Sequence, residues 1–280
     1  MAGPHAGPRV RRARRRADAT TAGRSRLSTI GLPIAGLFAM IGIWWLTTIV
    51  FGIQKFLLPS PPDVVRAFLR LPGYLVTNGR VTLIETLGGF LGAAVAGLLI
   101  GLIVTAVPLL ERAILPVLVT VNSVPKLAIA PLLTVWLGFG QVPKMAMVFL
   151  LCFFPIVLST MSGLGSTPAD LGEVARSMSA TRFQTFIKIR IPWALPQIFV
   201  GLKVAISLAV IGAVVGEFTG TGTDRGLGAV IVLSGASADT PLAFAAIGLL
   251  AVMSVGLFYL LVVAERLLLP WVRETSVQNS

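Results

Sequence analysis

The sequence predicts an all-α membrane protein with about six transmembrane helices, and three observations predict it. Hydrophobic residues make up 55% of the 280-residue chain and charged residues only 12%, about half the charged share of a soluble domain. The deficit falls in several uncharged runs longer than the ~18 residues that mark a candidate span. Those runs lack the ~10-residue apolar/polar alternation of a transmembrane barrel.

The first element is a basic tail, residues 1–27. Arg9, Arg11, Arg12, Arg14, Arg15, Arg16, Arg24 and Arg26 stand there against Asp18 alone, within a net charge of +12. Such a run fits nucleic acid, but before a long apolar segment it reads as a disordered cytoplasmic tail that sets topology and touches anionic lipid. It is not an export signal, because Leu27 to Ile53 is uncharged throughout and no small-residue cleavage pattern follows.

Spans are expected near 29–51, 81–107, 114–137, 144–163, 198–218 and 241–264. Lys126 interrupts the third, and Lys203 and Glu217 bracket the fifth. With the tail inside, sixteen of the 23 basic residues lie on the inner side and six on the outer, with Lys126 between them. That bias places both termini in the cytoplasm. After residue 27 the chain reads as one domain, 28–270, followed by a cytoplasmic C-terminal tail, 271–280.

Between the first two spans, Ser60-Pro61-Pro62-Asp63 is a helix start. Val64, Val65, Phe68 and Leu69 share one face of that helix and Arg66 and Arg70 another, which suits the membrane interface. The segment after the fourth span, 167–196, is then cytoplasmic and charged. Thr167-Pro168-Ala169-Asp170 predicts an N-cap and a helix to about Met178. Thr181-Arg182-Phe183-Gln184 predicts a capping box opening a second helix, which Pro192 should end.

Several residues inside or beside spans are polar. Lys126, with Asn122, Ser123 and two prolines around it, is costly at bilayer depth. It reads either as a cation lining an aqueous pathway or as one half of a structural pair. Glu85 and Glu217 stand near outer span ends, as gate residues or as groups exposed at the interface. Gly88-x3-Gly92 and Gly97-x3-Gly101 are small-residue steps for close helix packing, or for a dimer seam. Trp44, Trp45 and Trp271 read as interfacial or packing aromatics. Cys152 is the single cysteine and His5 the single histidine, so no cysteine metal cluster or intrachain disulfide is expected.

The charged segment carries a motif. Glu173-Val174-Ala175, then Ser179, then Ile189-Arg190-Ile191-Pro192 resembles the EAA signature of permease subunits in bacterial ABC importers, with spacing intact. Val174, Ser179 and Ile191 depart from its usual residues, and Ser179 stands where the family has a turn glycine. The resemblance runs from about residue 57 to 270. "LPSP" at 58–61, "VPKLAIAPLLTVWLGFG" at 124–140 and "GAVVGEF" at 212–218 are similar to the nitrate/sulfonate/taurine family. "IETLGGFLG" and "DRGLGAVIV" resemble its branch associated with thiamine-precursor pyrimidines and riboflavin.

The resemblance implies a type I importer permease fold and a homodimer. It also implies separate ATPase subunits on the cytoplasmic face and an external substrate-binding protein. The chain has no Gly-Lys dipeptide and so no Walker A loop. ATP hydrolysis is therefore expected on another subunit, with no cofactor, metal or nucleic acid here. Glu173, Val174, Ala175, Arg176, Ser179, Ile189 and Pro192 would couple to that ATPase, Glu173 and Arg176 as polar contacts and Ala175 by permitting close approach. A gradient-driven secondary transporter is the alternative, but no pair of related halves is visible. A membrane-embedded enzyme would need a polar catalytic cluster that one lysine and two glutamates do not make.

Overall fold

A computed structural model describes residues 31–32, 34–219 and 225–271, and those residues form helices and short connections. The expected basic tail lies outside them, as does the C-terminal tail beyond Trp271. The chain divides into two compact units, Met1–Val65 and Arg66–Ser280.

In the first unit, helix α1 (Ile34–Val50) is apolar and lies within the expected span 29–51, part of whose start falls outside the described residues. Thr47 and Thr48 return their hydroxyls to the Ile43 and Trp45 carbonyls at 2.8 and 2.7 Å, so neither leaves a bare polar group in an apolar setting. The expected Ser-Pro-Pro-Asp start holds. Helix α2 (Pro61–Arg70) begins there, and the Asp63 carboxylate accepts from the Ser60 hydroxyl at 2.7 Å and from Lys55 at 3.0 Å. Val65 and Leu69 on the expected apolar face are exposed, and Ala67 is the buried residue of that helix.

In the second unit, four helices are long and apolar enough to cross a membrane. They are α3 (Pro72–Ala106), α6 (Gln141–Gly165), the continuous stretch Arg182–Thr219 that includes α9 (Ile191–Thr219), and α11 (Thr240–Leu268). At about 1.5 Å per residue, α3 with its 35 residues is roughly 50 Å long and outreaches a ~30 Å hydrocarbon core. These four match the expected spans at 81–107, 144–163, 198–218 and 241–264.

The third expected span, 114–137, is not one helix. Helix α4 (Pro108–Asn122) starts earlier, a 3-10 turn covers Lys126–Ile129, and α5 (Ala130–Leu137) follows at a bend of 73°. Pro125 has no N–H to continue α4, and Pro131 is pre-set for the first turn of α5. Counting that bent pair as one span gives a fifth crossing. Helix α10 (Leu227–Ala236) was not expected. It forms a hairpin with α11 through a turn in which Ala238 has φ +58°.

Helix α6 is the centre of the core, packed between α3 and α9. Phe90 and Ala93, Val148, Cys152 and Ile156, and Ala205, Ile206 and Ala209 fill the space between them. The backbones approach closely because the seams are lined by small residues. A Cβ at Gly97 would come within 2.9 Å of Ile156 Cγ2, and one at Gly101 within 2.7 Å of Thr160 Cβ. The second glycine step of α3 therefore packs against α6 within one chain. In the first step Gly92 has room for a Cβ, and the tight residue beside it is Gly89. The α9 seam repeats the device with Gly201, Ala205, Ala209 and Gly212. A Cβ at Gly212 would sit 2.9 Å from Val148 Cα.

Candidate functional site

The charged segment emerges as helix α7 (Ala169–Ser177), a turn, helix α8 (Arg182–Thr185) and a π turn, Phe186–Arg190. Thr167 is not the N-cap. Its hydroxyl donates to the Leu164 carbonyl at 3.1 Å, and Pro168 takes the cap position without a side-chain bond. The second capping box forms as expected. Gln184 N–H donates to Thr181 Oγ1 at 3.2 Å, and Thr181 N–H to Gln184 Oε1 at 2.9 Å.

Pro192 does not end the second helix. The π turn precedes it, with Ile191 N–H donating to the Phe186 carbonyl, and the helix runs on to Thr219. The wider turn is how the helix absorbs a residue whose ring crowds the preceding turn and which cannot donate to it. Ser179 sits in the turn at φ +56°. The family's glycine is therefore a conformational requirement here, and serine in its place costs on the order of 1 kcal/mol. Ala180 N–H donates to the Ala175 carbonyl at 3.0 Å, which closes the end of α7 around that turn.

On α7, Ala175 is buried against the protein, while Glu173, Val174, Arg176 and Met178 are exposed. Val174 is 56% and Met178 77% exposed, and Phe183 on α8 is 71% exposed. Apolar side chains on α7 and α8 are thus left exposed beside the exposed Glu173 and Arg176. Ile189 and Pro192 are half-buried at the root of the segment.

The five expected pathway residues fall into two places. At the break between α4 and α5, Lys126 Nζ donates to Asn122 Oδ1 at 2.6 Å and to the Asn122 carbonyl at 3.2 Å. It also stands 4.5 Å over the Phe154 ring, midway along α6. The lysine thus caps the C-terminal carbonyls of α4 from a broken helix. Ser123 turns away, its hydroxyl donating to the Val119 carbonyl.

Glu85 and Glu217 are not exposed at an interface. They are 0% and 1% exposed, in a polar cluster at the end of the bundle away from the charged segment. Lys144 pairs with Glu85 at 2.8 Å, linking α6 to α3, and is itself buried. Glu217 accepts from the Thr82 hydroxyl at 2.6 Å and from Gly228 N–H, while Leu227 N–H donates to Thr82 Oγ1 at 2.8 Å. The carboxylate thereby serves as the missing N-cap of α10, where the macrodipole favours a negative charge. It lies so close over Gly226 and Gly228 that a Cβ on either would strike it, at 1.8 and 2.7 Å.

Lys144, Thr82 and the Gly226-Leu227-Gly228 turn were not among the expected site residues. Lys144 is one of the six basic residues expected on the outer side. The available signal was an acid and a base at matching ends of neighbouring apolar spans, which cannot stay unpaired in lipid. Among the described residues, no hydrogen bond or ion pair joins Lys126 to either glutamate. At the opposite end, Lys203 and Glu265 pair at 2.8 Å and tie α9 to α11.

The fold is that of a membrane permease. It is similar to the inward facing structure of the MetNI methionine ABC transporter, with a TM-score of 0.56 and 22% identity, covering 70% of this chain and 95% of that one. The chain belongs to the binding-protein-dependent transport system inner membrane component family, which matches residues 93–274. It is 36% identical to the riboflavin transport system permease protein RibX of Chloroflexus aurantiacus, covering 86% of this chain and 90% of that protein. Against the formylaminopyrimidine transport permease protein ThiX of Halalkalibacterium halodurans the identity is 35%, over 85% and 95%. A putative aliphatic sulfonates transport permease protein SsuC of Bacillus subtilis matches at 32%, over 83% and 84%. The chain is thus a permease subunit of an ABC importer of the nitrate/sulfonate/taurine type, and not a secondary transporter.

Proposed function

We propose that two copies of this chain form the pathway for a small polar or anionic solute. An external binding protein delivers the solute, and separate ATPase subunits docked on α7 drive transport. The exposed α7 surface around Glu173, Val174 and Arg176, over a buried Ala175, carries the reading. Closure of the ATPases pulls on α7, and the rigid helix from Arg182 to Thr219 transmits that motion to the core. The solute is of the riboflavin or pyrimidine kind, or of the sulfonate, taurine or nitrate kind, as the names of the relatives suggest.

This arrangement needs the charged segment and both termini in the cytoplasm, which the basic-residue bias supports. Met178→Cys is the probe, because Met178 is exposed and the native Cys152 is buried. In sealed cells an impermeant thiol reagent is expected to leave position 178 unlabelled until the membrane is opened. Labelling of intact cells at the rate of opened ones would reverse the orientation.

Lys126 is the proposed pathway cation, positioned with Asn122 and Ser123 at the break beside the middle of α6. Glu85 and Glu217 brace the outer gate. Lys126→Met is expected to cut uptake about tenfold or more while co-purification with the ATPase stays intact. Uptake at the wild-type rate would remove Lys126 from the pathway and leave it as the cap of α4.

A further inference from the structure

At the charged end of the bundle, α3, α4, α7, α8 and the π turn surround a cavity of about 680 Å³. Three arginines line it, Arg176, Arg182 and Arg190, and no acidic residue does. Among the described residues no carboxylate forms an ion pair with any of the three. Gathering three unpaired guanidiniums around one space is unfavourable until an anion enters it, and their planar forks suit phosphate oxygens.

The rest of the wall is mostly apolar, with Thr167 and Thr185 in it, and begins where the membrane helices begin. Ala106 is the last residue of α3, and Phe186 and Ile189 belong to the first turns of the long Arg182–Thr219 helix. The cavity therefore lies where two spans leave the hydrocarbon, its wall cationic in part and apolar in part. A soluble phosphate uses only the first of these parts. A phospholipid uses both, its phosphate against the arginines and its glycerol and upper acyl carbons against Phe186, Ile189 and Pro108.

The geometry points to a binding site for the headgroup of an anionic phospholipid, seated between the end of α3 and the α7–α8 segment. Bound there, the lipid neutralises the three arginines and ties the root of the charged segment to its own leaflet. The site shares Arg176 with the α7 surface proposed to dock the ATPase, so it is tested on the permease without that subunit.

The test uses the purified full chain in detergent, with lipid retention read by native mass spectrometry. Phosphatidylglycerol is expected to stay bound as one molecule per chain, at least tenfold more strongly than phosphatidylethanolamine. The pair Arg182→Gln/Arg190→Gln should lower that retention by roughly tenfold or more, at about 1 kcal/mol per basic contact. Arg112→Gln, an exposed cation outside the cavity, should leave it unchanged. Gly172→Glu keeps every arginine and places a carboxylate on the lining at a position with open space for a side chain. It should lower retention as the double variant does, so misfolding of one variant does not decide the result. Unchanged retention in both variants would overturn the site. Equal loss in Arg112→Gln would reduce it to diffuse charge. Displacement of the lipid by inorganic phosphate at millimolar concentration would assign it to a soluble anion instead.

Discussion

Glu173→Lys is expected to leave the permease folded and inserted while uptake falls tenfold to a hundredfold and ATP hydrolysis no longer tracks it. A charge-assisted hydrogen bond closed off in an interface contributes about 1.5–3 kcal/mol, and a solvated one far less. The side chain is exposed on α7, so its reversal breaks nothing inside the protein. Glu173 is also the fifth of nine residues in that helix, too central for the macrodipole to add much. Any large effect must then come from a partner. Glu173→Gln keeps the shape and most of the helix propensity without the charge, and should fall between the two. Co-purification with the ATPase, ATP turnover and uptake measured together decide the matter. If the lysine variant binds and couples normally, Glu173 is not a docking contact.

Lys144→Met should act in the opposite way, on folding and not on coupling. Lys144 and Glu85 are both buried, at 4% and 0% side-chain exposure, so removing the cation strands a carboxylate in a dry interior. Breaking such a pair from one side costs about 3–5 kcal/mol, whereas replacing both members by neutral groups of similar size is often close to neutral. Thermal unfolding in detergent should show a large loss for Lys144→Met and recovery of most of it in Lys144→Met/Glu85→Gln. The same double variant should keep assembly. A single variant as stable as wild type would mean that Glu85 finds another partner and that the pair is not what joins α3 to α6 there.

The sequence alone determined the class of fold, the four long spans and the motif. Each of these depends on local composition or on spacing along the chain. Uncharged runs of sufficient length cross a membrane whatever surrounds them. The Thr181–Gln184 capping box closes within its own four residues, so it too was legible. The requirement for a left-handed turn at Ser179 was visible in the family's glycine, and the structure shows the serine adopting it.

What the tertiary structure decided was everything that depends on a second helix. Pro192 looked like a stop because a proline ends a helix that has no reason to continue. Here burial of the α9 seam against α6 outweighs the defect, and a π turn absorbs it. The prolines flanking Lys126 looked compatible with one long span; Pro125 permits the 73° break, and the two halves pack in different places, Leu118 with Val104 and Phe154, Leu133 with Met147. Glu85 and Glu217 read as gate residues or as groups exposed at the interface, where a lone carboxylate near a span end usually stands. They are buried because Lys144, Thr82 and the amides of Leu227 and Gly228 come to them from elsewhere in the chain. A carboxylate's burial is set by the groups that meet it in space, and spacing along the chain does not carry that information.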